Sequence, residues 1–125
     1  MPKRAIVIED NELVAATLKT MLEFFNFEVV VFENGPKAIE EFISQMKLNT
    51  SFDIVFVDLV LPGMSGKEVM QKLKEINPEI KAIVSSGYSN DPSIAMYENA
   101  GFKGMLNKPY TLQELEDVLK QLSLI

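Results

Sequence analysis

Four apolar runs in this 125-residue chain end in side chains capable of chemistry. Residues 5–8 lead into Glu9 and Asp10, and residues 54–57 into Asp58, with a Pro62-Gly63 turn close behind. Residues 82–84 lead into Ser85, Ser86 and Gly87, and residues 104–106 into Asn107, Lys108 and Pro109. If the runs are neighbouring strands, three carboxylates, a hydroxyl pair and an amine meet on one rim. Two carboxylates 4 to 5 Å apart repel by roughly 3 to 4 kcal/mol at an effective dielectric near 20, so the group needs a counter-charge. Lys108 supplies one positive charge and a divalent cation would supply two. The chain has neither Cys nor His, so all ligands would be oxygens. That selects a hard ion, and a site with few protein ligands and room for water or phosphate oxygen favours Mg²⁺.

Each piece also has a plainer role. Glu9-Asp10 before a helix serves capping and the macrodipole. Pro62-Gly63 makes a turn, and Lys-Pro commonly precedes a helix. Met64, Met70 and Met105 suit gap-filling in a core. The order of the four strand ends is what makes the chemical reading stronger than its parts.

The lack of Cys and His removes disulfides, thiolate catalysis, Ser-His nucleophiles and any phosphohistidine carried by the chain itself. A net charge of −6 disfavours direct nucleic-acid or anionic-membrane binding. There is no long apolar window and no apolar signal region after Met1-Pro2-Lys3-Arg4, so a cytoplasmic location is expected. Asn49-Thr50-Ser51 matches a glycosylation sequon by chance on that reading. Length and composition, 47% hydrophobic and 24% charged, suit one folded domain over residues 1–125.

Five strand–helix units are expected to position these residues. The strands are residues 5–8, 28–32, 54–57, 82–84 and 104–106. Leu13, Leu18, Met21, Leu22 and Phe25 recur at helical spacing after the first. Ala38, Ile39, Phe42, Ile43 and Met46 follow the second, behind Asn34-Gly35-Pro36, and Val69, Leu73 and Ile76 follow the third. A weaker fourth helix is expected from about Ser93 to Ala100. Thr111 caps a fifth whose stripe is Leu112, Leu115, Val118, Leu119 and Leu122. Strands apolar throughout imply a parallel sheet covered by helices on both faces, a doubly wound α/β fold. Sites in such sheets collect at the carboxyl ends of the strands.

"IVIEDN" (from Ile6), "DLVLPGMSG" (from Asp58), "SSGYS" (from Ser85) and "NKPY" (from Asn107) together resemble the receiver domain of two-component response regulators. "SSGY" and "KPY" are closest to receivers of hybrid sensor histidine kinases. The resemblance spans essentially the whole chain. It implies a flavodoxin-like sheet of order 2-1-3-4-5 with five helices, and Asp58 as acceptor of a phosphoryl group. The donor would be a phosphohistidine on a sensor kinase or phosphotransfer protein in trans. It further implies that Asp10 and Asp58 hold Mg²⁺ by carboxylate, Glu9 through water and Val60 by its backbone carbonyl. Ser86, the Gly87 N–H and Lys108 would meet the phosphoryl oxygens. A downstream protein would read the face of the fourth helix, fifth strand and fifth helix. Such a set satisfies what phosphoryl transfer requires, an in-line nucleophile and neutralised equatorial oxygens.

Several positions depart from the family pattern. Glu-Asp stands where many members have Asp-Asp, and Ser86 replaces the commoner threonine. Met105 stands in place of an aromatic ring on the fifth strand. Val60 offers no group to orient an attacking water, so self-catalysed dephosphorylation is expected to be slow. The same valine argues against a haloacid dehalogenase-type phosphatase, which wants an acid there. Gly63-Met64-Ser65-Gly66-Lys67 is too short for a P-loop, and Glu68 replaces its hydroxyl. A receiver fold used for docking without phosphorylation is the main alternative, and the retained acids, Ser86 and Lys108 speak against it.

Overall fold

The computed structural model describes residues 2–87 and 97–125. Its strands are β1 (Lys3–Ile8), β2 (Phe27–Phe32), β3 (Ile54–Asp58), β4 (Ala82–Ser86) and β5 (Gly104–Asn107). They form one parallel sheet of order β2-β1-β3-β4-β5. Four α-helices lie among the described residues: α1 (Glu12–Phe24), α2 (Gly35–Lys47), α3 (Gly66–Ile76) and α4 (Leu112–Gln121).

Alternation along the strands sorts the core into two layers. Ile6, Ile8, Val55, Val57 and Val84 pack with Ala38 and Phe42 of α2 and with Val69, Met70 and Leu73 of α3. Ala5, Val7, Ile54, Phe56 and Ile83 pack on the other face with Leu18 and Leu22 of α1 and Leu115 and Leu119 of α4. Successive strand residues point to opposite faces, so a sheet buried on both sides needs apolar residues at every position. Each large side chain so buried contributes about 1.5–3 kcal/mol.

Helix starts are written in short polar signals. Asn11, Asn34, Ser65 and Thr111 each accept a backbone N–H from the first turn, and Thr111 with Glu114 completes a capping box. These caps set where each chain segment leaves the rim.

Two expectations are corrected. Leu13 was expected on the buried stripe of α1, yet it is 75% exposed. It lies five residues before Leu18, well over a quarter-turn out of phase, and Ala15 takes the core position instead. The expected count of five helices is met by four among the described residues. The segment expected as the fourth, from about Ser93 to Ala100, lies outside the described residues up to residue 96. At its described end, Tyr97–Ala100 is a 3-10 turn. Gly101 follows at φ +103, a left-handed conformation that stops a helix.

Candidate functional site

Parallel order brings the carboxyl ends of β1, β3, β4 and β5 to one rim. In register, Ile8 lies beside Val57 and Asp58 beside Ser85, while Ser86 lies beside Asn107. Glu9, Asp58 and Ser86 are buried, whereas Asp10 and Gly87 are exposed. Backbone bonds fix the frame: the Glu9 N–H donates to the Phe32 carbonyl at 2.9 Å, and the Leu59 N–H to the Ser85 carbonyl at 2.9 Å. The Lys108 N–H donates to the Ser86 carbonyl at 2.8 Å.

Glu9, Asp10 and Asp58 each offer a carboxylate oxygen, and the three lie within 4.8 Å of one another. Lys108 reaches over the rim into this group. Its Nζ is 2.5 Å from Glu9 Oε1 and 3.2 Å from Asp58 Oδ2. Glu9 Oε2 accepts the Asn11 N–H at 3.1 Å, and Asp58 Oδ1 accepts the Val60 N–H at 3.3 Å. Among the described residues no buried side-chain nitrogen or oxygen lacks a partner. Two buried carboxylates are thus held by one ammonium and two backbone amides, and Asp10 brings a further negative charge at the open side. Burial alone would lower the Lys108 pKa, but the hydrogen bond to Glu9 and the charges of Asp58 and Glu9 outweigh it and hold it above the ordinary lysine value. Lys108 is a cation at any ordinary pH.

Oxygen donors this close, with more negative charge than Lys108 can offset, fit a small hard divalent cation. Asp58 stands beside that position with both oxygens oriented, which suits a nucleophile. The arrangement can therefore neutralise incoming phosphoryl oxygens and present a carboxylate to phosphorus.

Two contributors were not assigned a role from the sequence. Tyr110 lies two residues past Lys108, half-buried in the layer shared with α1 and α4. Burial, with the charges of Glu9 and Asp58, pushes its phenol well above the ordinary tyrosine value, so it stays protonated. Gly66 opens α3 directly behind the Asp58 carbonyl. A Cβ there would lie 2.5 Å from the Asp58 carbonyl oxygen and 2.9 Å from Leu59 Cα. The Gly66 N–H also donates to the Leu59 carbonyl at 3.1 Å, tying the helix to the loop. We expect Gly66→Ala to cost about 1–3 kcal/mol, because neither backbone group can yield without moving Asp58. A urea midpoint equal to the wild type's would show that this contact is not tight.

Beside the acids, Leu13, Val14 and Thr17 of α1 face Lys108, Pro109 and Tyr110 across a groove of about 390 Å³. Val60, two residues past Asp58, is 56% exposed.

Comparison with known proteins gives the following. A family model described as response regulator receiver domain matches residues 5–120. A cyclic di-GMP phosphodiesterase of Thermotoga maritima is 32% identical over 110 residues, covering 88% of this chain and 28% of that protein. The autoinducer 1 sensor kinase/phosphatase LuxN of Vibrio harveyi is 30% identical over 114 residues, 91% of this chain and 13% of that protein. The chain therefore spans less than a third of the length of either relative. Among solved structures, a CheY-like response regulator receiver domain from Methylobacillus flagellatus superposes with a TM-score of 0.84 at 27% identity, covering 98% of this chain and 99% of that one.

Proposed function

Because the chain belongs to the response regulator receiver domain family, we propose that it accepts a phosphoryl group on Asp58 from a partner's phosphohistidine and relays the signal through a protein-binding face. The observation that carries this reading is the Asp58 carboxylate itself. It is buried at the end of β3, lies 3.2 Å from Lys108 Nζ, and shares a 4.8 Å cluster with Glu9 and Asp10.

In the transfer, an Asp58 carboxylate oxygen attacks phosphorus in line with the leaving nitrogen. The P–N bond breaks, its electron pair returns to the imidazole, and an acyl phosphate forms. The chain contains no histidine, so the donor acts in trans or is a small acyl phosphate. Asp10 and Asp58 would hold Mg²⁺ by carboxylate, Glu9 through water and Val60 by its carbonyl. When bound, Mg²⁺ neutralises charge on the phosphoryl oxygens. Lys108, the Ser86 hydroxyl and the Gly87 N–H take up those oxygens. Val60 leaves the acyl phosphate without a neighbouring group to orient water, so its self-hydrolysis is slow.

The groove next to Lys108 supports a docking place for the donor protein. Lys108 lines it, and Leu13 lines it from an α1 face that also exposes Ala16, Thr17, Thr20 and Phe24, all uncharged. Leu13→Glu is expected to slow transfer from whichever histidine kinase labels the wild-type chain by about tenfold, the effect of losing one buried leucine contact. Labelling by acetyl phosphate, which needs no docking, should be unchanged. An equal loss with both donors would count against the groove.

For the output side we propose the face formed by β5, α4 and the segment expected as the fourth helix. Residues 93–96 of that segment lie outside the described residues. Met105 on β5 is half-buried against the layer shared with α2 and α3 and carries no ring, so the shift is read through backbone movement.

The reading is tested by intact-mass measurement after incubation with acetyl phosphate. One phosphoryl group should add in the presence of Mg²⁺ and none in excess chelator. A chain that stays unmodified with Mg²⁺ would instead support docking without phosphorylation.

A further inference from the structure

Resting on the reading of Asp58 as acceptor, we propose that Glu9 is a positioning residue that tethers Lys108 in the pocket before any phosphoryl group arrives. The tether is visible in the distances. Lys108 Nζ is 2.5 Å from Glu9 Oε1 but 3.2 Å from Asp58 Oδ2. The second Glu9 oxygen is held by the Asn11 N–H at 3.1 Å, and the Glu9 N–H by the Phe32 carbonyl at 2.9 Å. Both ends of the glutamate are therefore fixed, and its carboxylate is a stationary post.

The reach explains why the post is a glutamate. β1 and β5 are separated by β3 and β4 in the sheet, so three inter-strand spacings put their ends roughly 14 Å apart. Two long side chains are needed to meet across that gap. An aspartate at position 9 would be shorter by one C–C bond, about 1.5 Å. The contact with Lys108 would open to about 4 Å, beyond hydrogen-bond range. The lysine backbone is fixed separately by its N–H bond to Ser86, and its ammonium pairs with Glu9 and Asp58. Held on Glu9, Lys108 stands ready at the acceptor, with its Asp58 contact made to Oδ2 while Oδ1 accepts the Val60 N–H.

Side-chain ¹⁵N–¹H spectra of the lysine ammonium groups of the full chain test this, in metal-free and phosphate-free buffer. The Lys108 signal is identified by its absence in Lys108→Arg. In the wild type it should be visible in slow exchange, with a stronger Overhauser contact from its Hε protons to Glu9 Hγ than to Asp58 Hβ. Glu9→Asp should speed its proton exchange about tenfold, and Glu9→Gln, which can offer its one oxygen to only one of the two donors, should do likewise. Asp58→Asn should leave it slow. A signal that survives in both Glu9 variants, or that is lost in Asp58→Asn, would make Asp58 the anchor and overturn the proposal. If the Glu9 variants do not fold, the wild-type Overhauser pattern decides, and stronger contact to Asp58 overturns it. No phosphoryl group enters these measurements, so failure to label Asp58 and failure of the tether are separate results.

Discussion

Lys108→Met is expected to lower the stability of the metal-free protein by about 3 kcal/mol, because it strands two buried carboxylates without their cation. Glu9 and Asp58 are 5% and 7% exposed, so water cannot replace the lost ammonium fully. Lys108 itself keeps 19% side-chain exposure, which places the cost at the lower end of the range for broken buried pairs. Added Mg²⁺ should restore much of the loss by replacing the missing positive charge. The pH dependence follows from the raised lysine pKa. A folded value above the unfolded one means Lys108 binds its proton more tightly in the native state, so its stabilisation is complete below about 10.5. It is lost as pH rises through the folded value. The gap between wild type and variant should therefore be level through neutral and mildly alkaline pH and narrow only above about 10.5. Urea midpoints with unchanged slope would measure it. A variant as stable as the wild type in metal-free buffer would show that the two carboxylates do not depend on Lys108.

Asp58→Ala is expected to take up no phosphoryl group from acetyl phosphate with Mg²⁺, an all-or-none effect. The neighbouring acids cannot stand in. Glu9 is engaged by Lys108 and Asn11, and Asp10 is exposed and lacks the paired amide and ammonium that orient Asp58. The variant should stay folded, since Lys108 keeps Glu9 as partner and one source of carboxylate repulsion is gone. Label on a folded Asp58→Ala chain would move the acceptor elsewhere.

The sheet and the clustering of acids at its rim were legible because their signals are local. An apolar run followed by an acid marks a strand end, and four such runs order themselves once the sheet is parallel. Asn34, Ser65 and Thr111 likewise announce helix starts within a few residues. What could not be read depends on distance through space. The Glu9–Lys108 bond joins residues two intervening strands apart and needs the sheet register before it can be seen. The sequence suggested only that glutamate suits a water-bridged metal contact; its extra methylene also carries it to the lysine. Gly66 stands in the sequence only within a segment too short for a P-loop, and the closeness of α3 to the Asp58 carbonyl is what gives it a reason. Leu13 is apolar and near the helix start, but its phase sets it off the stripe of Ala15, Leu18 and Leu22 that faces the core. Its exposure is what marks the groove beside the site.

That Asp58 takes up the phosphoryl group as an acyl phosphate is tested most directly by borohydride reduction, since hydride converts an aspartyl phosphate to homoserine and leaves free carboxylates intact. After incubation with acetyl phosphate and Mg²⁺, reduction and peptide mapping should find homoserine at position 58 and aspartate unchanged at position 10. Homoserine at position 10, a reduced glutamate at position 9, or an unreduced Asp58 in protein that has gained a phosphoryl group would contradict it.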